Sequence, residues 1–272
     1  MSGDRPPGYP GTADLRSPQA GEPGTAEYFS HAVERPPERF TTLGDTLLPV
    51  STEMRRWLNG DRVLSLAEQF KKFGPQYRDH LHGRRDSPFN TMESTVQTLR
   101  ERDLFIAEFG FAVPSREVID LMLGYSPLIE IGAGSGAWSK LLKDRGAHII
   151  ATDPKREQYA FDHGRYIPLM PLQGKTAVRR WPDRNVLCVW PSLNETWLRQ
   201  AARAMRPGRI LFVVREDTCA EDSTWNYIAG AFRQIASHEL LSWHFMHDRF
   251  EAWVKKRKSH EIPELPANTD SF

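Results

Sequence analysis

The apolar run Leu128-Ile-Glu-Ile131 passes into Gly132-Ala-Gly134-Ser-Gly136-Ala-Trp138 and then into a helical pattern. Glycines at alternate positions permit a tight turn and leave the backbone open to a ligand that a Cβ would exclude. Asp153 follows Gly136 by 17 residues, at the end of the next apolar run. A carboxylate there can accept hydrogen bonds from both hydroxyls of a ribose lying across the strand ends. The chemistry these residues suit is the holding of a nucleoside-bearing ligand. Gly132-x-Gly134-x-x-Ala137 also satisfies a dinucleotide fingerprint, so the loop alone leaves the ligand open.

Glu130, two residues before the first glycine, shifts the weighting. A pyrophosphate at the N-terminus of the following helix would be repelled by a nearby acid. S-adenosylmethionine has no phosphate and carries a sulfonium and an ammonium, which an acidic strand end tolerates. Glu130-x-Gly132-x-Gly134-x-Gly136 followed by Asp153 resembles the motifs of the class I S-adenosylmethionine-dependent methyltransferases, over roughly residues 110–255. That resemblance implies that Gly132, Ala133, Gly134 and Gly136 hold the methionine part of the cofactor. It implies that Glu130 orients the loop or the cofactor's amino group, that Asp153 takes the ribose hydroxyls, and that Trp190 lies beside the cofactor. Met205-Arg-Pro-Gly-Arg-Ile-Leu-Phe-Val213 looks like the family's turn into its fifth strand, an architectural feature.

Acceptor-side candidates are fewer. The fourth strand ends in Trp190-Pro191-Ser192, at the position of the Asp/Asn-Pro-Pro-Tyr/Phe motif of the family's amino methyltransferases. Trp190 stands for the acid or amide and Ser192 for the second proline, which puts nucleobase-type amine recognition in doubt. Carbonyls and an indole face can still stabilise a cationic nitrogen or sulfonium; the plain alternative is that Trp190 caps the sheet. Phe111-Ala-Val-Pro-Ser115, with Trp190-Pro191 and the late His247-Asp248-Arg249, is similar to a methyltransferase subfamily of no identified substrate. Phe111–Ser115 is placed to fold over the cofactor pocket or to serve as a helix-capping turn. His247 has the one side chain here whose ordinary pKa suits proton removal near neutrality, so it is the candidate base. Asp248 and Arg249 are otherwise expected to set a turn and pair on the surface. Glu216-Asp217, after the fifth strand, could line the same mouth or bind a cationic acceptor; the plainer reading is exposed, solvated acid. No histidine or cysteine spacing suggests a metal.

These residues need a frame. Residues 1–40 contain seven prolines and five glycines, a density that cannot bury enough surface to offset ordering, so a disordered tail is expected. Residues 41–122 read as a helical cap, with amphipathic segments near 54–73, over Asn90–Phe109 and over Ser115–Leu123, the last with Ser115 as N-cap. Residues 123–256 alternate short apolar runs with helical stretches, the mark of βαβ units on a parallel sheet. Strands are expected at Leu128–Ile131, His148–Thr152, near Tyr166–Leu169, Asn185–Trp190 and Ile210–Val214. Helices are expected at Ser135–Lys143, after Pro154, at Asn194–Met205 and at Ser223–Ile235, and a closing hairpin at His238–Phe245 and Arg249–Val254. The fold class is therefore α/β: a doubly wound, mainly parallel seven-stranded sheet with an antiparallel last strand and a helical N-terminal cap. Residues 257–272 read as a flexible tail.

Composition narrows the function. Thirty-six basic against 35 acidic residues give a net charge of +1, which advertises no polyanionic partner. Two cysteines make no disulfide framework, and no apolar stretch or leader-like segment suggests a membrane or secretion, so a cytoplasmic protein is expected. The reading is a methyltransferase that moves a methyl group from S-adenosylmethionine to an N, O or S nucleophile of a small molecule or protein side chain. An RNA substrate is the nearest rival, because residues 55–85 carry eight Arg/Lys against three Asp/Glu. A nicotinamide-dependent dehydrogenase and a non-catalytic partner-binding protein of the same fold are the others.

Overall fold

The computed structural model describes residues 49–73, 92–154, 164–193, 195–243 and 246–257. Its elements, in chain order, are α1 (Pro49–Leu58), α2 (Leu66–Phe73), α3 (Met92–Phe109), α4 (Arg116–Leu123), β1 (Leu128–Ile131), α5 (Ala137–Asp144) and β2 (Ile149–Thr152). There follow α6 (Gly174–Arg180), β3 (Asn185–Val189), α7 (Trp197–Ala204), β4 (Ile210–Arg215), α8 (Asp222–Ala231), β5 (Phe232–Glu239) and β6 (Arg249–Lys255). The strands form one sheet in the order β2-β1-β3-β4-β6-β5. The first four are parallel, and β6 runs antiparallel to both β4 and β5.

Successive side chains of a strand point to opposite faces, so unbroken apolar runs feed two cores. Leu128, Leu187, Phe212 and Val214 face one core, which α1, α2, α3, α4 and α5 cover. Ile129, Ile131, Val186, Cys188, Leu211 and Val213 face the other, under α6, α7 and α8. Helical spacing supplies the matching stripes, Trp138, Leu141 and Leu142 on α5 and Leu198, Ala201 and Ala202 on α7. Trp57, Met54 and Phe105 from the N-terminal helices lie fully buried in the first core. The helices before β1 thus share one apolar interior with the sheet.

Several expectations change. Six strands, not seven, are present among the described residues. The segment expected as a strand near Tyr166–Leu169 makes only an isolated bridge, Met170 to Thr152. Pro168 and Pro171 flank that bridge, and a proline has no N–H to extend a ladder. The expected helix Ser223–Ile235 ends at Ala231, and Phe232–Glu239 is a strand paired with β6. There the ladder offered by β6 overrides local helix preference. Leu240 to Trp243 lie outside the strand, so the expected strand His238–Phe245 is displaced toward the N-terminus; residues 244 and 245 lie outside the described residues. Ser115 is the N-cap residue of α4 in extended conformation but makes no side-chain capping bond. Both expected tails, apart from Arg257, and the helix after Pro154 lie outside the described residues.

Candidate functional site: a cavity at the strand C-termini

The turn leaving β1 is built on backbone that only glycine adopts readily. Gly132, Gly134 and Gly136 have φ of 70°, 54° and 79°. Gly136 is the left-handed N-cap of α5, and a Cβ there would stand 2.5 Å from Ile167 Cγ2. Crossing bonds fix the turn against the neighbouring chain. The Ala133 N–H donates to the Thr152 carbonyl at 3.0 Å, and the N–H groups of Gly164 and Tyr166 donate to the carbonyls of Gly134 and Ser135, each at 3.0 Å.

The two acids of the motif meet at this turn. Asp153 is buried, and its Oδ2 accepts the Gly134 N–H at 3.0 Å. Glu130 is fully buried and accepts the Ser139 hydroxyl of α5, while its own carbonyl accepts Thr152 Oγ1 at 2.9 Å. Burial pushes the Glu130 carboxyl up to about 7, against the Ser139 hydrogen bonds, and the nearby charge of Asp153 adds to the rise.

A cavity of about 280 Å³ opens over the turn. Of the residues expected to hold a cofactor, Glu130, Gly132, Ala133, Gly134, Asp153 and Trp190 line it. Gly136 does not; it sits beneath, where α5 begins. Among the described residues the cavity's remaining acid is Glu195 and its cation is Lys175. Phe109, Gly110 and Phe111 form another wall, held to α5 by Ser135 Oγ donating to the Phe109 carbonyl at 2.6 Å and Trp138 Nε1 to that of Ala112 at 3.2 Å. Phe111 therefore does lie over the cavity.

Trp190 is the strained residue of the site. Its φ is 55°, a left-handed conformation uncommon for a bulky side chain and costing on the order of 1–3 kcal/mol. Its N–H continues the ladder to the Val214 carbonyl at 2.7 Å. The indole stacks on Phe111 with centroids 5.3 Å apart and planes at 13°, and the Arg102 guanidinium lies 5.7 Å from its centroid.

The other acceptor-side candidate is elsewhere. His247 is exposed and is not part of the cavity lining. Its neighbours differ: Arg249 bonds Asp217 at 2.6 Å and Glu251 at 2.9 Å, whereas Asp248 is buried. Glu216, expected in solvent, is also buried, because it continues the inward parity of Phe212 and Val214. Sequence reasoning missed Trp197, Gln173 and Gln200 in the lining. Trp197 reads as one more apolar residue of α7, yet its ring would meet a Cβ on Gly132 at 3.1 Å. Among the described residues no group of three or more His, Cys, Asp or Glu suits a metal, and no helix is long and apolar enough to cross a membrane.

A glycine turn after β1, an acid ending β2 and an antiparallel strand set between the last parallel strand and the edge decide the architecture. The fold is a doubly wound, Rossmann-like α/β fold closed by an antiparallel pair. No family model matches the chain, and no curated protein does. Solved structures do. One is magnesium protoporphyrin IX methyltransferase from Synechocystis with bound S-adenosylmethionine, at 13% identity and TM-score 0.40, covering 70% of this chain and 94% of that one. Another is 1,6-didemethyltoxoflavin-N1-methyltransferase from Burkholderia thailandensis with S-adenosylhomocysteine, at 11% and 0.34, covering 52% and 76%. A third is an rRNA methylase from Streptococcus thermophilus, at 12% and 0.38, covering 52% and 96%.

Proposed function

We propose that the protein is an S-adenosylmethionine-dependent methyltransferase whose cofactor binds in the cavity over Gly132–Gly136. The observation that carries this is the lining itself: among the described residues, the acids Asp153 and Glu195 and the buried Glu130 stand against one cation, Lys175. Such a wall repels a pyrophosphate and suits a ligand bearing a sulfonium and an ammonium. That counts against the nicotinamide reading. Gly132, Ala133 and Gly134 line the cavity with little but backbone, which supports backbone contact with the methionine part, and Asp153 would take the ribose hydroxyls.

When bound, the cofactor supplies an activated methyl group on sulfur. The chain's own tasks are then to place the acceptor in line and to exclude water. Phe111, stacked on Trp190, closes the cavity with apolar surface at the end of β3, where an acceptor would approach. The acceptor is an N, O or S nucleophile of a small molecule or a protein side chain.

An RNA substrate is less well supported. Four of the basic residues that suggested it are engaged with carboxylates of this chain. Arg55 bonds Glu108, Arg56 bonds Glu53 and Asp61, Arg62 bonds Glu68, and Lys72 bonds Glu53. Arg78, Arg84 and Arg85 lie outside the described residues.

Calorimetric titration of the whole chain with S-adenosylmethionine, S-adenosylhomocysteine and NAD tests the proposal. Binding of the first two and not the third is expected. Binding of NAD alone would overturn it.

A further inference from the structure

The helices over the second core carry a charge that the chain's net +1 conceals. Lys175, Arg179 and Arg180 lie on α6, Arg199 and Arg203 on α7, and neither helix contains an acid. The two helices cover the same face of the sheet and touch, since a Cβ on Gly174 would stand 3.5 Å from Ala201 Cβ. Lys175, Arg179, Arg180 and Arg203 are exposed. Cations on the first-core side have acids of their own: Arg55, Arg56, Arg62 and Lys72 in the N-terminal segment, and Lys140 with Asp144 on α5. Among the described residues the five of α6 and α7 make no ion pair. Arg180 lies over Trp181 at 5.0 Å, Arg203 over Tyr227 at 5.1 Å, and Arg199 donates to Ser223 Oγ at 2.7 Å.

Lys175 and Arg179, and again Arg199 and Arg203, stand four residues apart, where like charges on a helix repel. The basic strip starts at the cavity, because Lys175 and Gln200, both exposed, line it. It is also narrow. Exposed Glu221 and Asp222 flank it before and at the start of α8, beside the Ser223 that Arg199 bonds. At its far end exposed Asp183 holds Arg206 at 2.8 Å. The rings beside it, Trp181 and Tyr227, pack on the second core beneath Arg180 and Arg203, which leaves little surface on which to stack a nucleic-acid base. A helix rises about 1.5 Å per residue, so cations four apart are spaced about 6 Å along the axis. Side chains on one face of an extended peptide recur about every 6.6 Å, so acids at alternate positions match that spacing.

We infer that α6 and α7 form the docking face for an acidic, extended segment of the protein that carries the acceptor side chain. The inference rests on the methyltransferase reading and names the partner in that reaction. Carboxylates of the segment lie along Lys175 and Arg179 on one helix and along Arg203 on the other. The segment runs toward Lys175 and Gln200 and so leads its acceptor to the cavity. Contacts between exposed charges are screened by salt, and they steer the approach and fix its direction more than they add affinity.

The test uses the full chain and the fluorescence anisotropy of labelled octaglutamate, octaglutamine and the single-stranded RNA octauridylate. Octaglutamate should bind about ten-fold or more tightly than octaglutamine at low salt, and the advantage should shrink as salt rises. Arg179→Glu and Arg203→Glu should each weaken octaglutamate by about five-fold or more, whereas Lys143→Glu, the same charge change on α5, should leave it within about two-fold. S-adenosylhomocysteine affinity within about two-fold of the unaltered chain shows that a variant is folded. The comparison of the two peptides in the unaltered chain stands even where a variant does not fold. Equal binding of the peptides, or an equal effect of Lys143→Glu, would overturn the inference alone. So would octauridylate binding as tightly as octaglutamate, which would make the partner a nucleic acid. Failure of S-adenosylhomocysteine to bind the unaltered chain would overturn the methyltransferase reading and this inference with it.

Discussion

The Asp153 carboxylate and the Gly134 amide, 19 residues apart, are joined by a 3.0 Å hydrogen bond that ties the end of β2 to the turn leaving β1. The aspartate has a structural task here besides any contact with a ribose. Asp153→Asn keeps an acceptor for the Gly134 N–H; Asp153→Ala leaves that buried donor unmet. We expect the Ala variant to melt roughly 5 °C lower and the Asn variant to stay close to the unaltered chain. Both should lose S-adenosylmethionine affinity, by about ten-fold or more, because neither a neutral amide nor a methyl group replaces the charged acceptor. Equal melting temperatures for the two variants would show that the loop bond is dispensable.

Gly136→Ala faces two separate obstacles, the 79° φ and the 2.5 Å approach to Ile167 Cγ2. The substitution should lower stability by about 1–3 kcal/mol in urea unfolding. Trimming Ile167 to Ala in that background relieves the contact but not the backbone, so it should not restore stability. Full restoration would mean that the left-handed conformation carries no cost.

Trp190 gives an inverted ranking. Glycine in place of alanine ordinarily lowers stability, by roughly 0.5–1 kcal/mol within regular structure. At φ 55° a glycine is at ease and an alanine is not. Trp190→Gly is therefore expected to be at least as stable as Trp190→Ala, although both lose the stack on Phe111. A markedly less stable glycine variant contradicts the strain assigned to this residue.

The glycine turn and Asp153 were legible because both depend on local features, a left-handed turn and the end of an apolar run. Glu216 and Asp248 were not. Their burial depends on how the ends of β4 and β6 pack against the rest of the fold, an arrangement between residues far apart in sequence. The start of β5 at Phe232 was hidden for a similar reason, since its strand conformation comes from β6 rather than from its own residues. The pairing of the Arg55–Lys72 cations with carboxylates likewise needs the packed helices, Glu108 lying on α3.

Stability should depend on pH through Glu130. Burial holds its carboxyl at about 7, above its ordinary value of 4.5, so the folded chain keeps a proton that the unfolded chain releases. The contribution is complete below about 4.5 and is lost as pH rises through about 7. Asp248, pushed up to about 8 chiefly by burial, adds a loss of the same sign. Urea unfolding between pH 5 and 8 should show a decline that Glu130→Gln reduces by on the order of 3 kcal/mol. Parallel profiles for the two proteins would remove Glu130 from this account.

A crystal structure of the full chain with S-adenosylhomocysteine is the most direct examination of the cavity. The ribose hydroxyls should lie within hydrogen-bond distance of Asp153, the amino-acid end along Gly132–Gly134, and the sulfur toward Trp190. Density for the compound away from these residues, with the cavity over the glycine turn empty, would contradict the site and the function assigned to it.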